Sequence, residues 1–378
     1  MVKVLLAGGG TAGHLNPALA IAEIIKRHNS DCEFLFAGTP DSMEEKLLAK
    51  TDYQFAKIKV KGFQRKLSVK NIGRNIQAGA YLISSGARAK QIINDFKPDL
   101  VIGTGGYVSG PIVMKAAQMK IPTVIHEQNA YPGVTTRILS KKVGEVMLTV
   151  PEALEYLDKN VKYTVTGLPV RSAIATKSKE EARKELGFDD SLCILSFGGS
   201  LGAGKINEVG ADLISWHSGK KAINHIHGYG GMGKDTFVKT LVERGVDIND
   251  KRLKVSEYID NMATCMAAAD IIICRSGANT LSEIETVGRA SILIPSPVVA
   301  GNHQYHNAMV LGNAGASFVY EQKNLENSDE IIEKIDYLYN HREELDKMAE
   351  KASALAVRDT DSRIYEVLCR NCEKLSVK

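Results

Sequence analysis

Two stretches of the sequence share one pattern and decide the fold: Leu5-Leu6-Ala7-Gly8-Gly9-Gly10-Thr11-Ala12-Gly13 and Ile194-Leu195-Ser196-Phe197-Gly198-Gly199-Ser200-Leu201-Gly202. In each, a short apolar run leads into a glycine-rich turn, and a helical stretch follows. This order is that of the first βα unit of a nucleotide-binding α/β domain. Because ligands collect at the carboxyl ends of parallel strands, the repeat predicts two similar domains whose glycine loops face one cleft.

Outside these stretches, short apolar runs alternate with helical segments, which is typical of Rossmann-like parallel sheets in an α/β protein. We predict an N-terminal domain at 1–166, a C-terminal domain at 167–345 and a helical segment at 346–378 that crosses the joint. The stretch 167–170, Gly-Leu-Pro-Val, is the natural break. The predicted strands are Val2–Ala7, Glu33–Ala37, Leu100–Gly103, Thr123–His126, Val146–Val150, Leu192–Phe197, Ile223–His227, Leu253–Val255, Ile271–Cys274, Ser291–Ile294 and Ser317–Tyr320.

The composition, with 44% hydrophobic and 24% charged residues in 378, is that of a globular protein with room for two cores. No apolar run approaches the ~20 residues that span a bilayer. The N terminus reaches its glycine loop too soon for a signal-peptide core, so we expect a cytoplasmic protein. The net charge of +4 is too small to favour a nucleic-acid partner.

One segment, 59–74, is strongly basic, with six Lys or Arg residues, no acidic residue and apolar residues between them. Each cation close to an anionic membrane surface contributes ~1 kcal/mol. The segment therefore predicts either contact with such a surface or a solvated basic loop.

Two of the glycine loops depart from the phosphate-binding motifs that they approach. Gly8–Gly13 has the G-x-G-x-x-G spacing of a dinucleotide site, but no carboxylate ends the second strand to hold a ribose. Gly228–Asp235 approaches a P-loop, but Asp235 stands where the motif needs Ser or Thr. Neither nicotinamide binding nor a P-loop is favoured.

The stretch Cys274–Glu283 is the most informative turn, because a strand ends, small residues follow and a helix begins. The N–H groups and dipole at such a helix start favour a diphosphate. Glu283, about one turn in, could accept hydrogen bonds from both ribose hydroxyls. The alternative is a simple capped helix.

Five motifs occur in the order seen in the MurG-type peptidoglycan N-acetylglucosaminyltransferases, which this chain resembles over nearly its whole length. They are Gly9–His14, Gly105–Pro111, His126–Asn129, Gly198–Ala203 and Arg275–Glu283. The resemblance implies a two-domain GT-B fold, inversion at the anomeric carbon and a peripheral enzyme on the cytoplasmic face of the membrane. Ala12, Leu168 and His303 depart from the common pattern of the family.

The resemblance also implies the substrates. The donor would be UDP-GlcNAc, and the acceptor undecaprenyl-pyrophosphoryl-MurNAc-pentapeptide (lipid I), which becomes lipid II in peptidoglycan synthesis. Glu283 would hold the ribose, the backbone of Ile259 the uracil, and Asn129 and Gln304 the GlcNAc. The first loop, with Gly10, and the loop of Tyr107 and Ser109 would face the acceptor's pyrophosphate. The donor-binding residues implied are Thr11, Ala12, Gly13, Asn129, Arg171, Ser200, Ile259, Gly277, Ala278, Asn279, Thr280, Leu281, Ser282, Glu283 and Gln304.

The acceptor hydroxyl needs a base in the transition state, and His14 is our first candidate because imidazole titrates near neutral pH and this histidine abuts a glycine loop. His126 and Glu127 remain alternatives, as base or orienting partner. A helix N terminus could stabilise the departing diphosphate without a metal. The sole D-x-D, Asp359-Thr360-Asp361, lies far from every glycine loop, so we expect no obligatory metal or other cofactor.

Three other functions remain open. The same fold could serve a transferase with another lipid acceptor, or a non-hydrolysing UDP-GlcNAc epimerase, which needs no acceptor. The third is a nucleotide-sugar-binding protein without catalysis, which would leave His14 and Glu283 with no shared purpose.

Overall fold

The computed structural model describes residues 1–60, 85–171, 174, 176–199 and 201–376. The chain divides into two compact units. Unit 1 is Met1–Pro169 with Asp359–Lys378, and unit 2 is Val170–Arg358. The division falls inside the stretch 167–170, and the predicted segment 346–378 is shared between the units.

Unit 1 is built on a parallel sheet of seven strands in the order β3-β2-β1-β4-β5-β6-β7. Residues 85–96 form helix α3, and Pro151–Tyr156 is a 3-10 turn. The other elements before residue 170 are β1 Val2–Gly8, α1 Ala12–His28, β2 Cys32–Gly38, α2 Met43–Leu48, β3 Gln54–Lys57, β4 Leu100–Gly105, α4 Gly106–Gln118, β5 Thr123–Glu127, α5 Val134–Leu139, β6 Glu145–Leu148 and β7 Tyr163–Val165.

Unit 2 carries a second parallel sheet, of six strands in the order β10-β9-β8-β11-β12-β13. Ala300–Asn302 and Gln322–Asn324 are 3-10 turns. The other elements are α6 Lys179–Leu186, β8 Leu192–Phe197, α7 Gly204–His217, β9 Ile223–Gly228, α8 Gly230–Gly233, α9 Phe237–Glu243, β10 Leu253–Ser256, α10 Met262–Ala268, β11 Ile271–Cys274, α11 Ala278–Val287, β12 Ala290–Leu293, α12 His303–Asn313, β13 Ser317–Val319, α13 Asp329–Asn340 and α14 Arg342–Leu355. The last two helices, α15 Thr360–Asn371 and α16 Glu373–Ser376, belong to unit 1.

The apolar run of β1 is continuous because both faces of its sheet are covered. Val4 and Leu6 belong to the core cluster on one face, and Leu5 and Ala7 to the cluster on the other. The C-terminal helix α15 completes the first cluster with fully buried side chains, among them Ile364. The end of the chain is therefore part of the core of unit 1.

Every predicted strand is present, with ends that differ by at most two residues. The strands β3 and β7 were not predicted, and both are sheet edges. An edge strand is only partly buried, so β3, Gln54-Phe55-Ala56-Lys57, lacks a long apolar run. None of the helices in the described ranges is long and apolar enough to cross a lipid bilayer.

Candidate active site

The first glycine loop of unit 1 leaves the start of α1 open. Thr11, the N-cap residue, is extended with φ −152°, its side chain makes no capping hydrogen bond, and the first turn holds no acidic residue. Gly10 has φ +86°, which favours glycine. Gly10, Thr11 and Gly13 are exposed, and Ala12 is the first residue of α1. An open helix start presents N–H groups to an anion.

Glu44 braces this loop, and the sequence analysis missed it. Its buried carboxylate accepts from Thr39 N at 3.2 Å, Thr39 Oγ1 at 2.7 Å and Gly10 N at 3.3 Å. Burial alone would raise the pKa of Glu44, but these hydrogen bonds outweigh it and lower the pKa. One loop amide is therefore already occupied by a carboxylate. The pattern from Ser42 to Glu45, which predicts a helix start directly after β2, was the available signal.

The second loop of unit 1 packs on the first. Gly105 and Gly106 have φ of +104° and +77°, and a Cβ on Gly106 would lie 2.1 Å from the carbonyl oxygen of Gly9. Tyr107, which follows, is 61% exposed. The hydroxyl of Ser109 is buried, accepts from Gly105 N at 2.9 Å and lies 2.8 Å from the oxygen of Ala7 and 2.6 Å from that of Gly105. Ser109 thus braces the loop, whereas Tyr107 reaches the surface.

Behind the first loop, His14, Gln128 and His126 form one hydrogen-bonded chain. Nδ1 of His14 lies 3.1 Å from Oε1 of Gln128, and Nε2 of Gln128 lies 3.1 Å from Nδ1 of His126. Nε2 of His126 lies 3.0 Å from the oxygen of Gly167. His126 and Gln128 are buried, whereas His14 is partly exposed. Burial lowers the pKa of His126, which is therefore neutral at physiological pH.

The carboxylate of Glu127 closes the turn that follows β5. Oε1 accepts from the backbone N and the side-chain Nδ2 of Asn129, both at 3.0 Å, and Oε2 accepts from Gly133 N at 3.0 Å. The side chain is 3% exposed. Both oxygens thus accept hydrogen bonds from the turn that follows β5, so Glu127 stabilises this turn. Asn129, a predicted sugar contact, is one of its partners.

In unit 2, the turn before α11 combines an uncapped helix end with an unpartnered hydroxyl. Gly277 is the N-cap, without a side-chain cap or an acidic residue in the first turn. Oγ of Ser276 is buried and has no hydrogen-bond partner in the part of the chain that the structure describes. An unpaired buried hydroxyl is costly, and the N–H groups beside it favour an anion. The predicted residues Ala278, Asn279, Thr280, Leu281 and Ser282 form the start of this helix.

Glu283 follows on the same helix and is paired with Arg171. Nε and Nη2 of Arg171 lie 3.0 and 2.8 Å from Oε1 of Glu283. Burial raises the pKa of Glu283, and Arg171 partly offsets this. Arg171 and Glu283, two of the predicted donor-binding residues, are therefore in direct contact.

The remaining glycine loops of unit 2 pack on each other. Gly202 and Gly230 have φ of +81° and +62°, and a Cβ on Gly230 would lie 2.2 Å from Gly202 N. This close approach explains the glycine at both positions, of which Gly230 begins α8. Ile259 packs against the neighbouring backbone, since a Cβ on Gly228 would lie 3.0 Å from Cδ1 of Ile259. Ser200 lies outside the described residues.

Two polar side chains hold the turns that follow β12. Oε1 of Gln304 accepts from Ser296 N at 2.8 Å. The NH₂ group is therefore the part of this side chain that could donate to a sugar, as predicted. Arg275 donates to the oxygens of Ile294 at 2.9 Å and Pro295 at 3.1 Å. Burial lowers the pKa of Arg275. Its contacts are those of a residue that fixes the loop.

Two family models match the chain, the Glycosyltransferase family 28 N-terminal domain at residues 4–148 and the C-terminal domain at residues 193–364. The UDP-N-acetylglucosamine--N-acetylmuramyl-(pentapeptide) pyrophosphoryl-undecaprenol N-acetylglucosamine transferase of Acetivibrio thermocellus is 44% identical over 97% of each chain. The chain belongs to glycosyltransferase family 28. This confirms the resemblance that the five motifs carried.

Two further comparisons of this family 28 chain, one with a sequence and one with a crystal structure, are consistent with this assignment. A Thermoanaerobacter sp. protein with the same name is 42% identical over 97% of this chain and 99% of its own. The crystal structure of Acinetobacter baumannii MurG matches with a TM-score of 0.78 and 27% identity, covering 98% of this chain and 100% of that one. The predicted α/β class, with two Rossmann-like parallel sheets of GT-B type, is confirmed.

Both aspartates of the D-x-D motif of this family 28 chain form ion pairs within unit 1. Asp359 pairs with Arg363 at 2.8 Å, and Asp361 pairs with Arg27. Within the described ranges no group of three or more His, Cys, Asp or Glu side chains is placed to hold a metal ion. Of the basic segment 59–74, Lys59 is exposed, and its other five cations lie outside the described residues: Lys61, Arg65, Lys66, Lys70 and Arg74.

Proposed function

We propose that this chain transfers GlcNAc from UDP-GlcNAc to the 4-hydroxyl of MurNAc in lipid I, with inversion, and so forms lipid II. The observation that carries the proposal is identity of 38–44% over 94–97% of the chain to proteins named for this transfer. Each unit adds chemistry that the reaction needs, a histidine beside a glycine loop in unit 1 and a carboxylate beside an uncapped helix in unit 2.

Unit 1 supplies the base and the acceptor contacts. His14 takes the proton of the attacking hydroxyl, because it is the one group of the His14–Gln128–His126 chain that is exposed in part. The exposed first loop, apart from the Gly10 amide that Glu44 occupies, and the exposed ring of Tyr107 face the acceptor's pyrophosphate. The buried positions of His126 and Glu127 suit orienting roles.

Unit 2 holds the donor. The ribose hydroxyls donate to Glu283, and the diphosphate lies on the N terminus of α11, where Oγ of Ser276 gains the partner that it lacks. As UDP leaves, negative charge grows on the diphosphate, and fixed N–H donors stabilise it without reorganising. Ile259, Gln304 and Arg171 complete the donor site.

We also propose that the reaction needs no obligatory metal, because the helix terminus already supplies fixed positive partial charges to the leaving group. Turnover in excess EDTA should stay within a few fold of its value without chelator. Loss of activity that a single divalent metal restores would refute this.

Docking on an anionic membrane surface is part of the proposal, since the acceptor is a lipid. The basic segment 59–74 supports it, and so does α5, where Val134 and Ile138 lie one turn apart and are 50% and 56% exposed. Ile138→Glu should weaken co-sedimentation with phosphatidylglycerol vesicles. Ile248→Glu, at an exposed position of unit 2, is the matched control. Equal binding by both variants and the wild type would refute the docking role of α5.

The decisive experiment incubates the purified protein with radiolabelled UDP-GlcNAc, with and without a short-chain lipid I analogue. Label should enter the lipid only when the acceptor is present. Label recovered as UDP-ManNAc without acceptor would instead indicate an epimerase. Label transferred only to a different lipid would keep the transferase and change the acceptor, and unchanged UDP-GlcNAc throughout would favour a binding protein.

A further inference from the structure

The hydrogen-bonded chain behind the first loop has only one consistent arrangement of protons. At its inner end, Nε2 of His126 lies 3.0 Å from the carbonyl oxygen of Gly167. A carbonyl oxygen accepts but cannot donate, so Nε2 carries the hydrogen. Since burial keeps His126 neutral, its Nδ1 must present a lone pair.

The amide of Gln128 is oriented by that lone pair. Its Nε2 lies 3.1 Å from Nδ1 of His126 and 2.9 Å from the carbonyl oxygen of the same residue, so both amide hydrogens have an acceptor. The flipped amide would set its oxygen against a lone pair and a carbonyl oxygen, which is repulsive. Oε1 of Gln128 therefore points away from His126, toward His14.

The orientation of Gln128 decides the tautomer of His14. Oε1 of Gln128 can only accept, and it lies 3.1 Å from Nδ1 of His14, so Nδ1 carries the hydrogen. Two further contacts keep the ring in place. Thr104 Oγ1 donates to the backbone oxygen of His14 at 2.7 Å, and Gly105 leaves the room that the ring needs, because a Cβ there would lie 2.6 Å from Nδ1.

We propose that Gln128 is a positioning residue that fixes His14 as the Nδ1–H tautomer, so that the lone pair of Nε2 takes the acceptor's proton; this rests on the proposed function. The hydroxyl proton moves to Nε2, the sugar's C1–O bond to UDP breaks as the new C1–O bond forms, and UDP leaves with the bonding electron pair. His14 becomes an imidazolium whose Nδ1–H stays on Gln128. In other imidazole sites too, a hydrogen bond to one ring nitrogen fixes the tautomer and the orientation of the ring.

Long-range ¹H–¹⁵N NMR of histidine-labelled full-length protein tests the tautomer directly, with His14→Gln to assign the resonance. In the wild type, Nδ1 should be protonated and Nε2 should show the shift of an unprotonated nitrogen. In Gln128→Met, which is similar in size but offers no amide oxygen, the population should move toward the Nε2–H form. A wild-type His14 protonated on Nε2 would overturn the proposal, and this holds even if the variant fails to fold.

Kinetics give a second readout. Gln128→Met should lower kcat by about tenfold or more, but by less than the 10²–10⁴ that a positioned base contributes in full, with KM for UDP-GlcNAc changed less than about twofold. Gln54→Met, the same substitution on the exposed edge strand β3, should change neither. A lower kcat in Gln128→Met with an unchanged His14 tautomer would show that Gln128 only supports the structure of the site, and would overturn the proposal. The expected tautomer in a protein without transferase activity would refute the proposed function alone.

Discussion

The guanidinium of Arg171 donates to a single carboxylate oxygen of Glu283, with Nε at 3.0 Å and Nη2 at 2.8 Å from Oε1. Glu283 is mostly buried, with 13% of its side chain exposed, whereas Arg171 is 61% exposed. Burial raises the pKa of Glu283, and the neighbouring cation opposes this. The ion pair thus holds the carboxylate of Glu283 in place in the second turn of α11, where the proposed ribose hydroxyls would donate to it.

Glu283→Gln should weaken donor binding more than it slows turnover at saturating donor. A hydrogen bond to a charged group is worth about 1.5–3 kcal/mol, so the Kd for UDP should rise by about tenfold or more. Isothermal titration calorimetry with UDP measures this. Glu243→Gln, at an exposed position of α9, should bind like the wild type. Wild-type affinity in Glu283→Gln would remove Glu283 from the donor site.

The strands and glycine loops could be predicted because they depend on local sequence. The buried strands are short apolar runs, and a glycine turn follows the first strand of each unit. Edge strands such as Tyr163–Val165 are half exposed, so their residues carry a weaker pattern. Helix α15 is amphipathic, but nothing in its sequence tells which core it completes, and it joins unit 1 through contacts some 340 residues away in sequence.

The roles of individual site residues could be predicted only in part. Sequence placed His14 beside a loop and Glu283 on a helix, since each is adjacent to a recognisable turn. The sequence could not show that Gln128 is hydrogen-bonded to His14, or that Glu44 accepts a hydrogen bond from Gly10. These partners are 114 and 34 residues apart along the chain. Such pairs depend on strand order and register, which local patterns do not specify.

Three buried histidines of unit 2 form another chain that the sequence analysis missed. Nε2 of His217 lies 3.0 Å from Nδ1 of His225, and Nε2 of His225 lies 2.8 Å from Oγ of Ser196. That hydroxyl lies 2.7 Å from Nδ1 of His227, whose Nε2 lies 3.3 Å from Oδ1 of Asn207. His225 and His227 each donate through one nitrogen and accept through the other, so a second proton on either ring has no acceptor in this arrangement, whereas His217 takes part through Nε2 alone.

This chain predicts that unit 2 loses stability in mild acid. Burial lowers the pKa of His217 to about 4 and that of His227 to about 3, and burial and the other two rings lower that of His225. Unfolded histidine titrates near 6.5, so below this pH the unfolded chain binds more protons. The stabilisation is therefore complete above pH ~6.5 and falls toward pH ~4, by about 1.4 kcal/mol per pH unit for each histidine.

Urea unfolding followed by tryptophan fluorescence checks this, because the single tryptophan, Trp216, lies in α7 of unit 2. The midpoint should be lower at pH 5.0 than at pH 7.5. His217→Gln should reduce the pH dependence by about one proton. His341→Gln changes an exposed histidine of the same unit and should leave the pH dependence as it is. Equal midpoints at both pH values in the wild type would contradict the prediction.

Arg370→Met should loosen the C-terminal helix from unit 1. Nη2 and Nε of Arg370 donate to the buried carboxylate of Glu145 at 2.6 and 3.1 Å. Burial alone would raise the pKa of Glu145, but hydrogen bonds from Arg370, Thr164 and Asn371 lower it to about 2. Because Arg370 is itself 42% exposed, we expect a loss of about 2 kcal/mol, below the usual cost of breaking a fully buried pair.

Hydrogen exchange of the amides of α15 measures this loss. Lys374→Met, which removes the exposed partner of Asp99, is the matched control and should cost less than Arg370→Met, because solvent screens an exposed ion pair. The contribution of Glu145 is present above pH ~4.5 and is lost as the pH falls toward 2, since its folded pKa is depressed. Unchanged exchange in Arg370→Met would show that Lys162, Thr164 and Asn371 suffice to hold Glu145.

His14→Ala should abolish most turnover in a protein that still folds. His126 has both ring nitrogens engaged, and Glu127 accepts three hydrogen bonds from its own turn. Both side chains are buried, whereas His14 is partly exposed, so His14 is the more accessible base. Loss of a general base costs 10²–10⁴ in rate, and we expect the loss in kcat rather than in KM for the donor. His28→Ala, at the exposed far end of the same helix, should keep wild-type kinetics. If His14→Ala stays within a few fold of the wild type, the base is another group, and the hydrogen-bonded chain would have to act through structure alone.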